Sequence, residues 1–179
     1  MRTKLILLAL FALIVVLNDT GCKPYKREAD IRKVDSLIGK VKEADNTLVI
    51  DISTIKSRFD SIKQISSYVE KNYNQQSNNR FSTMMNSYEA IKGNYRNFIK
   101  NYELLKFENK KHMKRLKNLK KDLVENNISG KKFDSIYKEE SKIINEHLEK
   151  TRSLVGSVTH IENNYRRTHK KVRKLYKRL

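Results

Sequence analysis

Four polar side chains, Asp45, Asn109, His112 and His147, fall in phase with the apolar stripes of a strongly polar chain. Two imidazoles and a carboxylate form a zinc-compatible donor set. A polar layer that fixes helix register, as a buried Asn does in coiled coils, is the plainer account, and no metal is expected. The single cysteine, Cys22, has no partner for an internal disulfide. At the other end, Tyr165 to Leu179 carries Arg166, Arg167, Lys170, Lys171, Arg173, Lys174, Lys177 and Arg178 with no acid. Such a segment suits an anionic polymer or an acidic protein surface. There is no Gly-rich phosphate loop, no nucleophile elbow and no HExxH, so no catalytic residue is assigned and no enzyme is expected.

The elements that would place these residues are helices. The chain has 179 residues, one Pro, five Gly and no Trp, with 38% hydrophobic and 33% charged residues. So few breakers permit long helices, and so little apolar content suits helices with one buried stripe. Lys and Arg number 39 against 20 Asp and Glu, a net charge of +19.

Apolar residues recur three and four apart in three blocks, which predicts an all-α fold with helices over about 27–73, 79–126 and 131–178. The first stripe runs Ile31, Val34, Ile38, Val41, Leu48, Ile52, Ile55, Phe59, Ile62, Val69 and Tyr73, with Asp45 and Ser66 in phase. Asp45-Asn46-Thr47 followed by Leu48-Val49-Ile50 is a local conflict, but the stripe keeps its phase there, so one continuous helix is expected. The second stripe runs from Phe81 through Tyr88, Tyr95 and Phe98 to Leu123, with Asn109 and His112 in phase. The third runs from Phe133 to Leu179 and is more polar, with Glu140, His147, Thr151 and Thr168 in phase. Residues 74–79 and 126–130 read as turns, and Gly130 can take a left-handed conformation. The expected architecture is an elongated antiparallel three-helix coiled-coil bundle, up-down-up, over residues 27–179. Folding about residues 76–77 and 129 brings Asp45, Asn109, His112 and His147 into one layer, while His160 and His169 join no group. The aromatics Tyr88, Tyr95, Phe98 and Tyr102 sit on the seam as core rather than as stacking platforms. Helices this thin offer no obvious pocket.

Before the first block, Arg2 and Lys4 precede an apolar run from Leu5 to Leu17, then Asn18-Asp19-Thr20-Gly21. This is the layout of an export signal over residues 1–21. The run is shorter than the roughly 20 apolar residues of a spanning helix. Thr20-Gly21-Cys22 resembles the end of a bacterial lipobox, although Asp19 stands where that family prefers an apolar residue. The resemblance implies cleavage before Cys22 and a diacylglycerol and N-acyl lipid on Cys22, with no other cofactor. Residues 22–26 then form a short tether. Loss of residues 1–21 removes Arg2, Lys4 and Asp19, leaving a charge of +18.

Cys22 would lie beside the second turn, and the basic C-terminus about 70 Å away beside the first. The chain is therefore expected to be a lipid-anchored, periplasm-facing envelope protein, noncatalytic, holding a basic tip toward an anionic partner. Nucleic acid is disfavoured because an exported chain leaves the cytoplasm. In plan it looks like the murein lipoproteins, acylated at one end and basic with a Tyr at the other. It departs from them in ending at Leu179 rather than Lys, and the resemblance, with no acidic residue after Cys22, leans toward the outer membrane. A second basic run, Lys110 to Lys121, is expected to be a solvated face. The competing expectation is an adaptor or chaperone-like subunit that grips a partner helix along the imperfect seam of the third block.

Overall fold

The computed structural model describes residues 27–73 and 79–178. The expected export signal, the tether and Cys22 lie outside these residues, as does Leu179. The described residues are 92% helix with no strand, and none of their helices is long and apolar enough to cross a membrane.

Among the described residues there are four helices where three were expected: α1 (Arg27–Thr47), α2 (Ile52–Asn72), α3 (Asn79–Val124) and α4 (Gly130–Tyr176). The expected first helix is broken at residues 48–51. The cause is local. Asp45, Asn46 and Thr47 are weak helix formers, and Asp51 caps a new helix by accepting from the backbone N–H of Ser53 and Thr54 at 3.1 and 3.2 Å. Its carboxyl also accepts from the Ser53 and Thr54 hydroxyls, and these bonds hold its pKa down to about 2. Tyr102 of α3 donates to the freed carbonyl of Leu48 at 3.0 Å, so the break does not leave that acceptor unpaired.

The break also shifts the phase of the seam. In α1 the buried positions are Asp30, Val34, Leu37, Val41 and Ala44, followed by Leu48; in α2 they are Ile55, Ile62, Ser66 and Val69. The row Val34, Val41, Leu48, Ile55, Ile62, Val69 continues, but its companion row moves by one residue. Ile31 and Ile38 therefore only flank the core, and Asp45 turns outward to accept from Lys106 at 3.0 Å. In α3 and α4 most buried residues lie on the expected seams, but Met85 is buried rather than Met84, Leu148 is buried beside His147, and Tyr102, Tyr137, Leu154, Val158, Tyr165 and Leu175 are only partly buried.

The second turn departs from expectation in its chemistry. Asn126 takes the left-handed conformation, with φ at 62°, and Asn127 N–H donates back to Asp122 carbonyl at 2.9 Å. Gly130 is simply the first helical residue.

Contacts between neighbouring helices run in opposite directions along the chain. Arg27 donates to the Leu123 carbonyl, Lys120 pairs with Asp35, and Lys56 pairs with Glu103. Between α3 and α4, Arg115 pairs with Glu140, Asn109 with His147 and Tyr95 with Glu162. The buried apolar residues fall into two clusters. One, built from Val34, Leu37, Val41, Leu116, Leu119, Leu123, Ile128, Phe133 and Ile144, is mostly aliphatic. The other gathers Ile55, Ile62, Val69, Tyr88, Tyr95, Phe98, Ile161 and Val172. The α1–α2 break and the polar layer lie between them.

Candidate functional site

The polar layer comes first because it was the candidate metal centre. Asn109, His112 and His147 are buried together, with the two imidazole rings 4.9 Å apart, edge to face. His147 Nε2 lies 3.2 Å from Asn109 Oδ1. Glu108 stands 3.6 Å from His147 Nδ1, a nearby charge beyond hydrogen-bond length. Asp45 is absent from the layer, since the shifted seam puts Ala44 there instead. Among the described residues no three His, Cys, Asp or Glu side chains converge as a metal site. Burial is the largest influence on both imidazoles and pushes both pKa values down; the His147 imidazole adds to this for His112, while Glu108 opposes it for His147. Both rings are therefore neutral at pH 7, and the layer is a neutral, partly hydrogen-bonded one.

Sequence reasoning missed a second polar group. Tyr88 hydroxyl and His169 Nδ1 share a hydrogen bond of 2.7 Å, and the His169 ring stacks on Tyr165 at 4.6 Å. Tyr95 hydroxyl donates to Glu162 at 2.7 Å, and Arg58 pairs with the same carboxylate. Burial raises the pKa of both phenols and lowers that of His169, so all three are neutral. The signal was available: the reflection that pairs residue 112 with 146 pairs 88 with 170. His160 stands apart, bonded to Asn164 at the surface at 2.9 Å.

The C-terminal cations are placed together and left without acids. Arg166, Arg167, Lys170, Lys171, Arg173, Lys174, Lys177 and Arg178 are all exposed, and among the described residues no carboxylate pairs with any of them. Arg167 donates only to Asn164, at 3.1 Å. Glu162, the last acid of the sequence, is already taken by Arg58 and Tyr95. The run over Lys110 to Lys121 differs. There Arg115 pairs with Glu140, Lys120 with Asp35 and Lys121 with Glu125.

The same contrast holds in bulk. Residues 51–100 and 155–179 carry 16 cations against 5 acids, while residues 27–50 and 101–154 carry 19 against 14. The positive field is therefore concentrated at the end of the molecule where α2, the start of α3 and the end of α4 meet.

That end is also not smooth, contrary to the expectation of no pocket. A groove of about 870 Å³ lies between the start of α3 and the end of α4. Its apolar floor includes Tyr73, Phe81, Met84 and Leu175, with Tyr73 stacked on Phe81 at 3.7 Å. Arg167, Lys171, Lys174 and Arg178 line one wall.

No protein-family model, no curated protein and no solved structure matches the chain.

Proposed function

We propose that the chain is a noncatalytic bacterial envelope lipoprotein, held to its membrane by acylated Cys22. Its α1–α2 column, α3 and α4 act as an elongated antiparallel up-down-up bundle that carries the basic end of α4 toward an anionic partner. One observation carries the reading: the cations of residues 166–178 are exposed and unmatched by any acid among the described residues, whereas the basic run on α3 is partly neutralised by Asp35 and Glu140 of neighbouring helices and by Glu125 just past its own end. Uncompensated like charge destabilises a folded chain by self-repulsion, so its retention in one place speaks for a use outside the chain.

The test compares full-length protein with two charge-reversal variants on an immobilised polyanion. Lys170→Glu with Lys174→Glu is expected to lower the salt needed for elution strongly. Lys110→Glu with Lys114→Glu, on α3, is expected to lower it less. Equal shifts would reduce binding to bulk charge and remove the tip from the proposal. The anchor is tested separately by intact mass: membrane-derived protein should weigh as residues 22–179 plus lipid, and Cys22→Ala should lose both lipid and membrane association. A mass that retains residues 1–21 or lacks lipid would sink the anchor.

The adaptor reading, in which a partner helix packs along the molecule, is favoured by the groove beside α4, which a solvated tip would not need.

A further inference from the structure

The groove at the basic end has a spacing that narrows its occupant. Arg167, Lys171 and Lys174 follow one another by four and three residues along one edge of α4, and Arg178 comes four residues on, just past its end. They extend over about 16 Å and stand beside Thr168 and Leu175, which continue the seam. Cations at heptad spacing beside an apolar seam are the flank that an adjoining helix meets in a coiled coil, where e and g acids set partner and orientation. The opposite wall, on α3, offers Arg80, Thr83 and Ser87. Both hydroxyls donate to their own helix, to the carbonyls of Asn79 and Thr83 at 2.8 and 2.9 Å, so the charge on this wall is that of Arg80 and is again positive. Between the walls, Met84 and Leu175 are only partly buried, and the floor is completed by the stacked Tyr73 and Phe81. A free phosphate or a sugar polymer would use the cations but would leave this floor wet. An amphipathic helix uses both at once.

We propose that the groove seats one acidic amphipathic helix of a partner protein, its apolar stripe on Met84 and Leu175 and its acids toward Arg167, Lys171, Lys174 and Arg178. This rests on the basic-tip reading above and gives the anionic partner a chemical form.

The full chain carrying Cys22→Ala is titrated with a designed helical peptide bearing a Leu stripe flanked by Glu, and with polyglutamate of equal charge. The peptide should bind at least about tenfold more tightly, a difference of about 1.4 kcal/mol. Lys171→Glu with Lys174→Glu should erase that preference. Lys170→Glu with Lys177→Glu, an equal charge change at two cations that do not line the groove, should retain it. Met84→Ser with Leu175→Ser should weaken the peptide and leave polyglutamate unchanged. Should a reversal lower helix content by circular dichroism, Lys171→Gln with Lys174→Gln replaces it with the same expected order. Equal binding of peptide and polyglutamate, or equal losses from the two reversals, overturns the helix seat while the basic tip stands. Binding of neither overturns both. Stronger capture by phosphatidylglycerol vesicles than by the peptide assigns the groove to a lipid surface and also overturns the proposal.

Discussion

The two halves of this molecule share α3 and α4 but are built to different rules. Around Leu116 and Phe133 the core is mostly aliphatic, and α1, α3 and α4 all pack on one another. Interhelical pairs such as Lys120 with Asp35, Arg152 with Glu43 and Arg115 with Glu140 cross its surface. Around Tyr88 and Phe98 the core is richer in aromatic rings, α2 packs chiefly on α3 and only sparsely on α4, and phenol hydroxyls reach across to His169 and Glu162. The cations at the end of α4 have no such acids. One half is thus organised inward, with its charges spent on its own neighbours. The other leaves charge and a partly open seam facing outward, where a partner rather than the fold can use them.

The largest expected effect comes from emptying each core. Leu116→Ala should cost about 2–5 kcal/mol and Phe98→Ala about 3–5 kcal/mol, measured by urea unfolding. Amide exchange sharpens the comparison: Leu116→Ala should quicken exchange in residues 34–44 more than in 85–98, and Phe98→Ala should do the reverse. Uniform acceleration from either variant would show one core rather than two.

Next comes the charge contrast. Glu140 is 5% exposed and pairs with Arg115, so Glu140→Gln should lower stability by about 1–3 kcal/mol. Lys174→Gln, at the unmatched end, should change it by no more than about 0.5 kcal/mol. Similar losses from both would mean that the C-terminal cations are structural after all.

The layer between the halves gives a pH dependence. Burial holds His112 and His147 below the usual imidazole value of 6.5. As pH falls past that value the unfolded chain takes up protons before the folded one, so this contribution to stability is whole above pH 6.5 and declines below it. Glu108, Arg115 and Lys111 on α3 and Lys150 on α4 face the pair, while Asp45 of α1 is occupied by Lys106. His112→Leu should flatten the fall in melting temperature between pH 7 and 5, and an unchanged slope would place the dependence elsewhere. The smallest effect expected is at the break. Asp51→Ala should lower the melting temperature slightly at pH 7 and less at pH 2, because the depressed carboxyl contributes above its unfolded value of 3.8 and loses its effect as pH falls through about 2.

The seams of α3 and α4 were largely legible because one apolar phase dominates each, although Met85 and Leu148 are buried off that phase. In α1 two phases compete: Ile31, Val34, Ile38 and Val41 make a stripe as apolar as Val34, Leu37, Val41 and Ala44. Extending the α2 phase backward selects the first. The unwound residues 48–51 permit the second, and Ala44 fills the core better than Asp45 could, since burying an unpaired carboxylate is costly. The supposed metal carboxylate was lost with that one-residue shift. At the C-terminal end the abundance of cations was plain from composition. Their lack of partners was not, because pairing depends on which flank of the neighbouring helix carries an acid. The groove was hidden for a similar reason: partial burial of Met84 and Leu175 is set by how α2, α3 and α4 come together, not by their spacing.

Val49 is 80% exposed, and residues 48–51 lie outside any helix. Exposed, unwound backbone is where a protease cuts a folded chain. A cut after Val49 would separate α1, with whatever holds the N-terminus, from α2, α3 and α4. The pieces would then be joined only by the packing of Val34, Leu37 and Val41 against Leu116 and Leu123 and by pairs such as Lys120 with Asp35. If Cys22 is the anchor, one cleavage at this joint would turn a tethered protein into one held in place by noncovalent packing alone, and shedding of the basic end would become a matter of dissociation rate.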